Sequence, residues 1–166
     1  MITVFIIASL DTKPLVRTLN ALIAATVEGL VREVVIIAET GNDEVAKLAN
    51  DAGCDFVSST DFPAAVQTCK GNWLMILESG ALPEQGWAEA VGNHVQSNES
   101  AARFKRSPLA QRSFLQRLFH SERPLALGLL VQKNAALGLG QAALATPEIL
   151  VKAAKPKPLS AALRPA

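Results

Sequence analysis

The sequence predicts an α/β domain: a single doubly wound, mostly parallel sheet with helices on both faces. Three observations predict it. Four short runs, Thr3 to Ala8, Glu33 to Ala38, Cys54 to Ser58 and Trp73 to Leu77, carry apolar residues at consecutive rather than alternate positions, the pattern of strands buried on both faces. Segments with apolar residues at helical spacing separate them, so strand and helix alternate four times. Each run stops at an acidic or small polar residue, and right-handed crossovers bring the strand ends to one edge of the sheet.

Thr3 to Ala8 is β-branched and leads into Ser9-Leu10-Asp11-Thr12, where Asp11 or Thr12 can cap a helix whose first turn accepts Pro14. Leu15, Leu19, Leu22 and Ile23 share one face of that helix, Pro14 to Ala25. Glu33 to Ala38 ends at Glu39; Asp43 can cap a helix over Glu44 to Ala52, closed by Gly53. Cys54 to Ser58 is a weaker strand, and Phe62 to Lys70 the third helix. Trp73 to Leu77 halts at Glu78-Ser79-Gly80, and Pro83 fits the first turn of a helix over Pro83 to Val95. Beyond it, Ala101 to Lys105 reads as a strand, Leu109 to Phe119 as a helix, Leu125 to Gln132 as a strand and Asn134 to Leu139 as a helical turn. Pro156, Pro158 and Pro165 among small residues predict a loose tail, giving a domain over 1–150 and a tail over 151–166.

With 166 residues, 49% of them hydrophobic, the chain can bury one sizeable core. Its 16 Lys and Arg nearly balance 15 Asp and Glu, so bulk charge gives no argument for nucleic acid. The distribution is uneven: 103–123 carries Arg103, Lys105, Arg106, Arg112, Arg117 and Arg123 against the single acid Glu122. With Phe104, Phe114, Leu115, Leu118 and Phe119 interleaved, this segment suits peripheral contact with anionic lipid, or a plain amphipathic helix over the sheet. Cys54 and Cys69 lack metal-binding spacing and read as small hydrophobes of a reducing compartment. Ile2 to Leu10 is too short for a signal peptide, and no apolar run approaches the roughly 20 residues of a membrane span. A cytoplasmic protein is expected, working in solution or at the inner face of the membrane.

No Gly-x-Gly-x-x-Gly follows the first strand, and no Walker-type loop or Gly-x-Ser-x-Gly elbow is present. What remains is a set of strand-end acids and caps: Asp11, Glu39, Asp43 and Glu78. Ligands of open α/β sheets bind beyond the carboxyl ends of the strands, which makes Glu78 the foremost site candidate. His94 and His120 are expected in surface or capping roles.

These residues resemble family-2 glycosyltransferases of the GT-A fold. Val4 to Ser9 is similar to the family's opening strand, Pro14 to Leu22 to its first helix, and Val31 to Glu39 to its second strand with a terminal acid. Gly71-Asn72-Trp73-Leu74-Met75-Ile76-Leu77-Glu78 with Leu82-Pro83-Glu84-Gln85-Gly86-Trp87 is similar to its central G-D-W-L-L-F-L-D-A-D-T-x-L-P-x-G-W pattern. Arg117 to Phe119, and Gly128 to Lys133 followed by Ala136 to Gly138, resemble its acceptor-side segment more weakly. The resemblance implies transfer of a sugar from a nucleotide-diphosphate donor to an acceptor that the residues do not name. It implies Ser9, Asp11 and Glu39 around base and ribose, Glu78 and Ser79 at the donor, and Mg²⁺ or Mn²⁺ on the diphosphate with Glu78 as a ligand.

Three departures fall on the chemistry. Glu78-Ser79-Gly80 stands where the family has Asp-x-Asp, so Gly80 replaces the second acid; Thr40 to Glu44 departs from its Gly-Ser-x-Asp-Gly loop. Glu148 is the sole acid after Gly140, so no residue is assigned as catalytic base. An active transferase, a non-catalytic GT-A-like binding or scaffolding protein, and a different Rossmann-like nucleotide-binding domain are the three readings left open.

Overall fold

The computed structural model describes residues 1–97, 100–110 and 123–166. One mixed sheet holds β1 (Ile2–Ile7), β2 (Val31–Ala38), β3 (Asp55–Ser58), β4 (Trp73–Glu78), β5 (Leu82–Pro83), β6 (Ala102–Arg106), β7 (Leu129–Gln132) and β8 (Lys157–Arg164). Their order across the sheet is β3-β2-β1-β4-β7-β6-β8-β5. The described helices are α1 (Thr12–Val27), α2 (Asp43–Asp51), α3 (Phe62–Thr68), α4 (Trp87–Ser97), α5 (Lys133–Gly138) and α6 (Pro147–Ala154).

Strands β1 to β4 are parallel, with Ile7 opposite Ile37 on one side and Glu78 on the other. The two faces explain the unbroken apolar runs. Ile2, Val4 and Ile6 pack with Leu15 and Leu22 of α1, Val45 of α2 and Val91 of α4. Phe5, from the opposite face of β1, packs with Phe62 and Val66 of α3, Ala136 of α5 and Leu150 of α6. Since every β1 side chain from Ile2 to Ile6 is fully buried, no polar alternation survives in the strand.

The other half of the sheet is mixed. β7 runs antiparallel to β4 and β6 antiparallel to β7, while β8 is parallel to β6. β4, β6 and β8 therefore point the same way and finish on one edge, at Glu78, Arg106 and Arg164.

Four expectations are corrected. Residues 151–166 are no loose tail: they complete α6 and form β8, where buried Leu159, Ala161 and Leu163 alternate with exposed or half-buried Pro158, Ser160, Ala162 and Arg164. Pro158 had suggested a loop; it sits where the β6–β8 register shifts, a place where a strand tolerates proline. Pro83 does not open a helix. It forms the two-residue β5 with Leu82, pairing with Leu163, and α4 starts only at Trp87 after Gly86 turns the chain. The strand expected from Leu125 is confined to Leu129–Gln132, because Gly128 adopts φ 64° and a Cβ there would meet Leu77 Cδ2 at 2.9 Å. At α2 the capping side chain is Asn42, which accepts from Val45 N, and Asp43 opens the first turn. The expected helix over Leu109 to Phe119 falls mostly outside the described residues. No described helix is long and apolar enough to cross a membrane.

Candidate functional site at the strand ends

The turn after β4 is bound to both of its neighbours. Ser79 N donates to Ile7 O at 2.9 Å, extending the β1–β4 ladder by one rung. Ser79 Oγ accepts from Ser9 N at 3.1 Å and donates to Ser9 Oγ at 3.2 Å, which fastens the loop after β1 to the end of β4. Gly80 N donates to Thr18 Oγ1 at 2.8 Å, and that hydroxyl, fully buried in α1, donates to Ala81 O at 3.1 Å. Gly80 itself has φ 96°. A Cβ on it would lie 3.2 Å from Ala166 Cβ and 3.3 Å from Pro14 Cβ.

Glu78 points out of this edge with its side chain 13% exposed, and Arg123 Nη2 lies 2.9 Å from its Oε2 as an ion pair. Burial pushes the Glu78 carboxyl above the ordinary carboxylate range; Arg123 opposes the shift, and the negative charge of Glu148 adds to it. Glu148 stands in the first turn of α6, which is capped by Thr146 Oγ1 accepting from Ile149 N. Sequence reasoning gave neither Glu148 nor Arg123 a role here. The available signal was that Glu148 follows Thr-Pro, the start of a helix, in a stretch without other acids.

The structure brings Ser9, Glu78 and Ser79 together. Glu39 is exposed one residue beyond β2, on the same edge, since Ile37 and Glu78 both pair with Ile7. Asp11 is exposed and already employed: its Oδ1 accepts from Lys13 N at 2.9 Å as the cap of α1. His94 lies elsewhere, with Nε2 2.9 Å from Ser100 O and its ring 5.7 Å from that of Trp73 at the beginning of β4. His120 is outside the described residues. Glu84 is held by the buried Ser107 hydroxyl, which donates to it. An apolar groove of about 560 Å³ opens between α1 and α2, but its walls include Arg32 to Val34 at the beginning of β2, away from the strand-end acids.

Among the described residues no group of three His, Cys, Asp or Glu side chains gathers. A hard divalent cation needs several oxygen ligands. At this edge Gly80 offers no side-chain oxygen, the space beside it is filled by Ala166 and Pro14, and Glu78 already faces a guanidinium. Among the described residues, positions 78 and 80 do not fit a cation shared by two carboxylates.

No protein-family profile and no curated protein matches the sequence. Solved structures do match. Glucosyl-3-phosphoglycerate synthase from Mycobacterium tuberculosis, in complex with Mn²⁺, UDP and glucosyl-3-phosphoglycerate, superposes with a TM-score of 0.64 at 15% identity, over 92% of this chain and 63% of that one. The same enzyme with UDP alone gives 0.60 at 17% identity, over 92% and 64%. S. aureus TarS 1-349 in complex with UDP-GlcNAc gives 0.57 at 14% identity, over 82% and 46%. The chain thus spans less than two thirds of the length of these structures. At such identities the likeness is one of architecture: the mixed eight-stranded sheet with its flanking helices has the GT-A glycosyltransferase fold.

Proposed function

We propose that this chain binds a nucleotide-diphosphate sugar across the carboxyl ends of β1, β2 and β4 and takes part in transferring the sugar to an acceptor. The observation that carries this reading is the hydrogen-bonded pair Ser9 and Ser79, which joins the loop after β1 to Glu78 on the edge that Glu39 also occupies. Two structures of the same fold hold UDP or UDP-GlcNAc, which supports a nucleotide donor. In this reading Ser9, Asp11 and Glu39 surround base and ribose, through the Asp11 backbone and the exposed Glu39 carboxylate, and Glu78 stands at the donor. On the same reading Glu148, in the first turn of α6, takes a proton from the acceptor.

Calorimetric titration with UDP and GDP tests this. Glu39→Ala is expected to weaken binding by about 1–3 kcal/mol, the range for losing a charge-assisted hydrogen bond. Glu148→Gln is expected to keep nucleotide affinity and abolish transfer. A second reading, a non-catalytic GT-A-like binding or scaffolding protein, is favoured by the filled space at Gly80, and absence of UDP and GDP binding selects it. Exposed Arg103 and Lys105 on β6 support work at the inner face of the membrane, against anionic lipid; co-sedimentation with phosphatidylserine vesicles tests that contact.

A further inference from the structure

We infer that the positive charge facing the donor diphosphate is the Arg123 guanidinium rather than a divalent cation. The inference rests on the donor-site reading above and goes further, to how the site handles charge. Two observations weigh against the usual arrangement. The backbone at Gly80 is left-handed, and a Cβ there would press on Ala166 and Pro14 at 3.2–3.3 Å. The carboxylate that is present already has its cation, with Arg123 Nη2 2.9 Å from Glu78 Oε2.

The geometry suits phosphate. Glu78 keeps 13% of its side chain exposed, whereas Arg123 keeps 64%, so the acid holds the guanidinium as an ion pair, without hydrogen-bond geometry at Oε2, while most of the arginine side chain faces solvent. The guanidinium N–H groups are planar, permanently charged and spaced for two oxygens of one phosphate. Glu148, whose charge also reaches Glu78, leaves Arg123, Glu78 and Glu148 together at one net negative charge, so the diphosphate has to meet the exposed guanidinium and not the carboxylates. Glu78 is then a positioning residue for Arg123.

The test compares UDP and uridine titrations of the unmodified protein, Arg123→Met and Arg123→Lys, each in chelator and in Mn²⁺. UDP affinity of the unmodified protein is expected to change less than about two-fold on adding Mn²⁺. Arg123→Met is expected to lose about ten-fold or more in UDP affinity, the size of one charge-assisted contact, without rescue by Mn²⁺. Arg123→Lys, keeping charge but not the fork, falls between. Uridine, lacking phosphate, should bind all three alike, which a general loss of structure would not produce. UDP binding that requires Mn²⁺, or Arg123→Met binding UDP like the unmodified protein, overturns the inference alone. Absence of UDP and uridine binding in every condition overturns the donor reading and the inference with it.

Discussion

Ala166 occupies the space that a side chain on residue 80 would need: a Cβ built on Gly80 would lie 3.2 Å from Ala166 Cβ and 3.3 Å from its Cα. The absence of a side chain at residue 80 is therefore matched by packing from the far end of the described chain. Gly80→Asp is not expected to build a cation site. A non-glycine residue in the left-handed region costs about 1–2 kcal/mol, and Ala166 and Pro14 would also have to give way. The thermal midpoint should fall by roughly 2–8 °C. UDP titrations of the variant should show no gain from Mn²⁺; a clear gain would mean that the turn relaxes more cheaply than its φ implies.

Thr18 tests the same turn from below. Its hydroxyl accepts from Gly80 N and is fully buried, so Thr18→Val leaves a backbone donor without its partner. Loss of about 1–3 kcal/mol is expected by chemical denaturation, with Thr18→Ser restoring most of it. A valine variant as stable as the unmodified protein would show that water reaches Gly80 N.

Glu78 should cost stability at neutral pH. Burial raises its carboxyl above the ordinary value, against the opposing pull of Arg123. An acid raised in this way weakens the fold where it is ionised, above its folded pKa, and costs nothing below its unfolded value of about 4.3. Glu78→Gln should accordingly melt at or above the unmodified protein at pH 8, with the difference closing as pH falls toward 4. A variant distinctly less stable at pH 8 would show that the ion pair outweighs desolvation.

Glu33 behaves in the opposite sense. Desolvation would raise its carboxyl, but the Thr3 hydroxyl, the Lys70 backbone N–H and the Lys70 ammonium together hold it below the ordinary value. Stability from a lowered acid is present above its unfolded pKa and is lost as pH falls through the folded one. Replacing Glu33 by Gln should cost about 1–3 kcal/mol at pH 7 and flatten the fall in midpoint between pH 5 and 3. An unchanged acid limb would assign the acid lability to other carboxylates.

The parallel half of the fold was legible because burial on both faces leaves an unbroken apolar run, as in β1 and β4, whose observed limits lie within a residue or two of those expected. β8 was not, because its alternating Leu159, Ala161 and Leu163 are interleaved with small residues and prolines that imitate a linker. Pro83 misled for a related reason: proline suits a helix start and an edge strand equally, and only the partner strand decides. At the edge, Glu78 could be found from its place at a strand end. Its charge partners could not, since Arg123 and Glu148 come from segments distant in sequence that meet it only through the sheet order.

Strand β8 has a consequence for synthesis. It lies between β6 and β5 and is the only ladder partner of β5 among the described residues. At roughly 5–20 residues per second, the ribosome needs roughly 2–6 s to go from Gln132, where β7 is complete, to Arg164. Throughout that interval β6 is bonded on one side only, its outer row of N–H and C=O groups open to any other nascent chain. Products that stop before Lys157 keep that edge permanently, so truncation here should send the protein to aggregates instead of to a shorter folded domain.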